Sequence, residues 1–456
     1  MTSLGSHSSL IKTGFISLFG LTIVGLVVAK SAFATILIFI LIGLASYSPT
    51  TAIISLGLSF LIFFINPYFG ETSNSMVTLG RTILPFIVFL TGIWGLYKQQ
   101  KIIATLKPFI FLFFIFLTTI IIGSYLLKVS IFKLLLLCTG GAGILACFQA
   151  SKKEKTYWLR FFFSLYTIIM LSSIATLAIP AISYFRNGKG FQGISNQPQA
   201  LGIFITPFVC YLLTFILTRK SFEKSNFHYF LFITGIILLF LTGSRTSFLT
   251  ILITTFAVII SKDILKKLLS KLFSIKSILY SLLLSIILAS QFSVIKEEIT
   301  GFIFKRGQGT TLTESFEQSR GFLILLQIKN IQQNPYFGIG FQLASIPKEM
   351  KVVSDPILGL PIQAPIEKGN LFTSLVEENG IVGSVGFIIF FILLLRKVRK
   401  NLSPPITAMF LGAFMTNIGE ATLFSFGGMG LFVWLIIGLA YYSYKKPEQV
   451  CVSSSP

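Results

Sequence analysis

The sequence predicts an all-α, polytopic integral membrane protein with about fourteen transmembrane helices and one large extracytoplasmic loop. Three observations carry that prediction. The 456 residues are 54% hydrophobic and 11% charged, against about 25% charged in a globular domain. Apolar runs long enough to span a bilayer recur along nearly the whole chain. The strong basic clusters fall on alternate connections between those runs, as the positive-inside rule requires.

In order, the apolar runs place spans near 13–29, 32–47, 50–66, 80–97, 107–127, 131–150, 158–180, 200–218, 228–243, 246–261 and 277–293, then 379–395, 405–424 and 427–444. The first run lacks a small-residue cleavage pattern and is followed at once by another span, so it reads as a first helix. Three regions result: membrane helices 1–11 over 1–293, a large loop with an interfacial helix over 294–369, and helices 12–14 with a tail over 370–456.

With the N-terminus cytoplasmic, Lys98 and Lys101, the 152–155 lysines, the cations of 219–224 and 262–271, those of 396–400, and Lys445 with Lys446 all fall inside. Both termini are then cytoplasmic and the 294–369 loop lies outside. The stretch 263–275 has Leu and Lys at helical spacing and reads as a basic amphipathic helix on the inner surface. The net charge of +22 is spent on these connections, and no soluble basic domain exists to bind nucleic acid.

Four Cys and two His, His7 and His228, form no cluster with metal-ligand spacing, so a His-based metal site and a disulfide framework are not expected.

Inside the large loop, 313–333 reads as a helix with Phe316, Phe322, Leu323, Leu326 and Ile331 on an apolar face at the membrane interface. Asn334-Pro335 ends it, and Gly338 and Gly340 allow a tight turn.

Polar groups at the outer ends of spans are the candidates for chemistry, because ionisable side chains at membrane depth are costly. In the run 242–246, Ser244 can cap a helix and place Arg245 in its first turn, where free N–H groups and the dipole favour an anion. An interfacial Arg that snorkels to water is the competing reading. Arg320 is open to the same two readings. Glu420 needs a cationic partner, with Arg81 and Arg245 as candidates; a structural ion pair and a catalytic carboxylate are both open. The outer connection 185–202 is glycine-rich, with Asn196, Gln197 and Gln199 offering amides that suit sugar hydroxyls, or is an inert link; Arg186 and Lys189 lie in it too.

The order of these motifs resembles the O-antigen ligase and O-antigen polymerase family of bacterial envelope glycosyltransferases. The likeness rests on Asn66-Pro67, on Gly243 to Thr246 at a helix start, and on one large loop with Arg320 followed by Asn334-Pro335-Tyr336-Phe337-Gly338-Ile339-Gly340. Asn370-Leu371-Phe372 leading to Glu378-Asn379-Gly380 completes it.

The resemblance implies an undecaprenyl diphosphate-linked glycan donor, a glycan acceptor and the lipid bilayer as partners. A chain-length regulator and a flippase are candidate protein partners. It implies inverting transfer with no cofactor, metal or nucleotide sugar, and Arg245 and Arg320 holding the departing diphosphate. Arg81, Arg186, Lys189, Gln199, Ser244, Lys368, Asn370 and Glu378 would line the substrate. Ligases of the family carry a His immediately before the Asn, where this chain has Gly369. Glu367, with Glu420 second, is then the candidate base, and a polymerase is favoured over a ligase. A lipid-linked oligosaccharide flippase is the rival from another class. It would show internal repeats and midplane charges, whereas the polar residues here gather at one face.

Overall fold

The computed structural model describes residues 31–69, 75–100, 102–185, 190–218, 226–260, 321–354, 359–361, 368–399, 403–426 and 428–442. Among them are fourteen α-helices. The first five are α1 (Ser31–Tyr47), α2 (Pro49–Phe64), α3 (Ser75–Tyr97), α4 (Ile102–Gly123) and α5 (Leu127–Ala150). Then come α6 (Lys155–Ala175), the single-turn α7 (Pro180–Ser183), α8 (Pro198–Thr218), α9 (Asn226–Thr242) and α10 (Arg245–Ile260). The last four are α11 (Phe322–Gln333), α12 (Leu371–Arg399), α13 (Pro404–Met415) and α14 (Met429–Tyr441). Among the described residues six helices are long and apolar enough to cross a membrane, and five shorter apolar helices accompany them.

Local chemistry explains the boundaries. Only Ser48 separates α1 from α2. Its hydroxyl accepts from the Thr51 N–H while the Thr51 hydroxyl accepts from the Ser48 N–H, and Pro49 opens the helix. Prolines inside α3, α4 and α8 are tolerated, as is usual in membrane helices. Close packing uses small residues: a Cβ on Gly92 would lie 2.8 Å from Ala146, and one on Gly143 2.8 Å from the Phe89 backbone. The centre is aromatic, with Phe60, Tyr166, Phe204 and Phe432 in mutual contact.

Several expected boundaries move, and three of the shifts bear on the site. The span near 80–97 starts earlier, at Ser75, so Arg81 lies within α3 rather than in a connection. The span near 379–395 starts at Leu371, because Asn370 Oδ1 accepts from the N–H groups of Phe372 (2.7 Å) and Thr373 (3.4 Å) and caps the helix. The span near 405–424 stops at Met415. There Asn417 Nδ2 takes the carbonyls of Ala413 and Phe414, and Asn417 Oδ1 takes the N–H groups of Thr422 and Leu423, so the side chain replaces the helical ladder. The expected spans 13–29 and 277–293 and the amphipathic helix 263–275 lie outside the described residues.

Side-chain and backbone bonds gather the connections into two ends. At one end Gln99 bonds the Ala150 carbonyl, Thr50 bonds Ser151, and the Tyr442 hydroxyl bonds the Ser151 carbonyl. Lys98, Lys152, Lys153, Arg396 and Lys397 belong to this end. At the other end the Asn66 N–H bonds the Ile194 carbonyl, Phe191 bonds Leu241, and Tyr125 bonds Ile339. Exposed aromatics ring both ends: Tyr47, Trp94 and Tyr97 at the first, Tyr68, Tyr125 and Tyr336 at the second. Such belts mark the two interfaces of a bilayer.

Candidate active site

The second end is built on a backbone interlock. Gly380 interrupts α12 at φ +63°, which opens the helix and frees the carbonyls before it. The 335–340 segment fills the gap: Ile339 and Gly340 donate to the carbonyls of Glu377 and Glu378, while Ile381 and Val382 donate to those of Pro335 and Tyr336. Gly338 and Gly340 are both at positive φ, as the tight-turn expectation requires. The fit leaves no room for side chains. A Cβ on Gly338 would lie 2.5 Å from the Glu378 backbone, and one on Gly380 2.2 Å from that of Tyr336.

A buried charge cluster locks this interlock. Lys368 Nζ bonds Glu377 Oε2 and lies 3.7 Å from Glu378 Oε1, with all three side chains almost wholly buried. Asn330 Nδ2, from α11, donates to Glu377 Oε1 (2.7 Å) and to the Ser345 carbonyl (2.8 Å). Glu378 Oε2 accepts from the Gln342 N–H (2.9 Å), and Lys133 Nζ, from α5, donates to the Gln342 carbonyl (2.9 Å). Opposite charges and hydrogen bonds offset the cost of taking the carboxylates out of water.

α11 turns a polar face to this cluster. Gln327 is fully buried and bonds Thr373 (2.6 Å) and Ser374 (3.1 Å) of α12. Phe322, Leu325 and Ile328 point outward. Phe322 of the expected apolar face is exposed, whereas Leu323, Leu326 and Ile331 are half-buried; the face shifts toward Leu325 and Ile328 because the opposing surface of α12 offers hydroxyls and a carboxylate that need partners. Phe316 lies outside the described residues.

Arg245 opens α10 next to Gly243, which has φ +65°. Ser244 is buried and its hydroxyl bonds that of Ser247 (2.8 Å). Arg245 Nη2 is closed off from solvent and has no hydrogen-bond partner among the described residues. Such a donor is rare in a folded protein and expensive.

The α13–α14 turn lies against both halves. Its Thr416–Ile418 segment packs on α10 and on α12. Gly419 abuts Thr246, Gly428 sits under the Arg81 guanidinium, and Phe424 packs on Phe116, Phe341 and Phe387. Arg81 lies 4.3 Å above the Phe63 ring. Glu420 is half-buried in the turn, between the glycines that meet α10 and α3.

Of the residues expected to line a site, Arg81, Gln199, Ser244, Arg245, Lys368, Asn370, Glu378 and Glu420 all lie at this end. Gln199 is half-buried in the first turn of α8. Lys368 and Glu378 are internal partners within the buried cluster, and Asn370 is engaged as a helix cap. Arg186, Lys189, Arg320 and Glu367 lie outside the described residues. His228 stacks on Phe215, ring centroids 4.8 Å apart, at the opposite end. Sequence reasoning placed Glu377 and Lys133 at the outer face without giving them a role, and passed over Asn330, Gln342 and Ser345. The charges of Lys133 and Glu377 at membrane depth were the available signal.

Residues 230–388 match the protein-family model described as O-Antigen ligase. This stretch is a domain of the O-antigen ligase family. The protein is a multi-pass membrane enzyme of polysaccharide biosynthesis. The matched stretch runs from α9 into α12, so the O-antigen ligase segment holds Arg245, the 334–345 loop and the Lys368 cluster. Arg81, Lys133 and the α13–α14 turn with Glu420 come from outside it. No curated protein matches the chain in a search of complete sequences.

Proposed function

We propose that this protein transfers or polymerises undecaprenyl diphosphate-linked oligosaccharide at the outer face of the bacterial inner membrane, in O-antigen, capsule or exopolysaccharide assembly. The observation that carries the reading is the buried, unpartnered Nη2 of Arg245 at a helix start within the O-antigen ligase segment. A guanidinium with spare donors beside free helical N–H groups suits a diphosphate.

In the reaction an acceptor hydroxyl attacks the anomeric carbon from the face opposite the carrier. The bond from that carbon to the diphosphate oxygen breaks, and the electron pair leaves with undecaprenyl diphosphate. Arg245, with Arg320, meets the charge that develops on the leaving oxygen. The acceptor proton passes to a carboxylate, Glu367 or Glu420. Glu377 and Glu378 are poor candidates because Lys368 and Gln342 already occupy their oxygens.

Polymerisation is favoured over ligation because Gly369 stands where ligases carry His, and because His228 belongs to the far end of the bundle. The placement of Lys98, Lys152, Lys153, Arg396 and Lys397 at that far end supports a cytoplasmic assignment for it. This leaves the site end outside, in an arrangement of about fourteen spans with both termini cytoplasmic.

The test uses purified protein and undecaprenyl diphosphate-linked oligosaccharide, with the lipid-linked products resolved on a gel. A ladder of longer glycans on the carrier is the expected result. Transfer to a second supplied acceptor without a ladder makes the protein a ligase. Glycan that is unchanged yet crosses a vesicle bilayer overturns the enzyme reading in favour of a flippase.

A further inference from the structure

Gln342 follows the glycine turn and sits in the left-handed region at φ +55°. Few residues other than Gly adopt that conformation, and those that do are mostly Asn, Asp and His. The only other described non-glycine residue at positive φ is Gln100, which is exposed and ends α3, where such a conformation is common. Gln342 differs in being held. Its N–H donates to Glu378 Oε2 and its carbonyl accepts from Lys133 Nζ, each at 2.9 Å, so a buried carboxylate and a half-buried ammonium hold its backbone. The residue is 6% exposed, yet its carboxamide makes no hydrogen bond among the described residues. Its neighbour Phe341 packs on Phe424 of the turn that carries Glu420.

A strained backbone clamped by two charges, and a side-chain amide left unused, is an arrangement that holds a polar group ready for something else. We infer that Gln342 is a specificity-determining residue whose carboxamide hydrogen-bonds a hydroxyl or N-acyl group of the glycan, with Lys133 and Glu378 as its positioning residues. A carboxamide offers one acceptor and two donors, the complement of a neutral sugar. This inference rests on the glycan-transfer reading above.

Glycine makes the test clean, because it accepts a positive φ without strain and removes only the side chain. The probe is the lipid-linked oligosaccharide extracted from cells deleted for this protein. Gln342→Gly is expected to unfold at the wild-type temperature or above while kcat/KM falls about tenfold or more, as expected for one lost hydrogen bond in a desolvated site. Gln342→Asn keeps an amide and tolerates the conformation, and should recover part of the loss. Gln100→Gly, at the far end, should leave the rate unchanged. Wild-type kcat/KM in Gln342→Gly overturns the inference while the transferase reading stands. Unfolding of Gln342→Gly also overturns it, since the side chain would then serve the fold. Wild-type protein inactive on this probe removes the transferase reading and the inference together.

Discussion

At the residue scale, the end of the bundle holding Arg245 depends on groups that cannot be exchanged singly. Lys368 neutralises Glu377 and approaches Glu378 in a space closed to water. Lys368→Met leaves two carboxylates buried without their shared cation, and should cost about 3–5 kcal/mol of stability. Pairing it with Glu377→Gln should recover part of that loss, and thermal unfolding in detergent would measure both. Equal losses in the single and double variants would mean the ion pair is not what matters. Gly380→Ala meets two obstacles at once. Its φ of +63° costs a residue with a Cβ about 1–2 kcal/mol, and the new atom would lie 2.2 Å from the Tyr336 backbone. The variant should fail to accumulate as folded protein, judged by size-exclusion chromatography after extraction.

At the element scale, the turn between α13 and α14 connects segments distant in the chain. Asn417 holds it with donated bonds to Ala413 and Phe414 and accepted bonds from Thr422 and Leu423. Asn417→Ala should destabilise the protein by about 2–4 kcal/mol, at roughly 1 kcal/mol per bond lost, and lower turnover because Glu420 loses its support. Unchanged melting and turnover would show that the turn stands without this residue. The sequence could not reveal the turn: 405–424 is apolar enough to read as one helix, and Asn417 interrupts it through long-range bonds that periodicity does not encode. The same limit hid the polar inner face of α11, since Gln327 and Asn330 turn inward only because Thr373, Ser374 and Glu377 of α12 wait there. Spans with strong apolar runs were legible, as were the helix start at Arg245 and the turn at Gly338 and Gly340. The Lys368 cluster was partly legible. Its charges stood out against an apolar chain, but their pairing needed the fold.

At the scale of the whole molecule, the bundle has two chemically different ends. One carries Lys98, Lys152, Lys153, Arg396 and Lys397 on its connections. The other carries glycine-rich turns, a buried ion cluster and an arginine with an unsatisfied donor. Single cysteines at Lys152 and at Tyr125 should react with an impermeant thiol reagent from opposite sides of sealed membrane vesicles, Tyr125→Cys from the outside. Labelling of both from one side would contradict the alternating arrangement of helices. On the proposed function, the Arg245 end performs the transfer. The most direct test compares wild type, Arg245→Ala and Arg245→Lys in proteoliposomes carrying undecaprenyl diphosphate-linked oligosaccharide, with insertion checked by protease protection. All three should insert normally, with a loss of about 100-fold or more in turnover for Arg245→Ala and a smaller loss for Arg245→Lys, because one ammonium cannot reproduce the guanidinium fork. Full turnover in Arg245→Ala would contradict the proposed function.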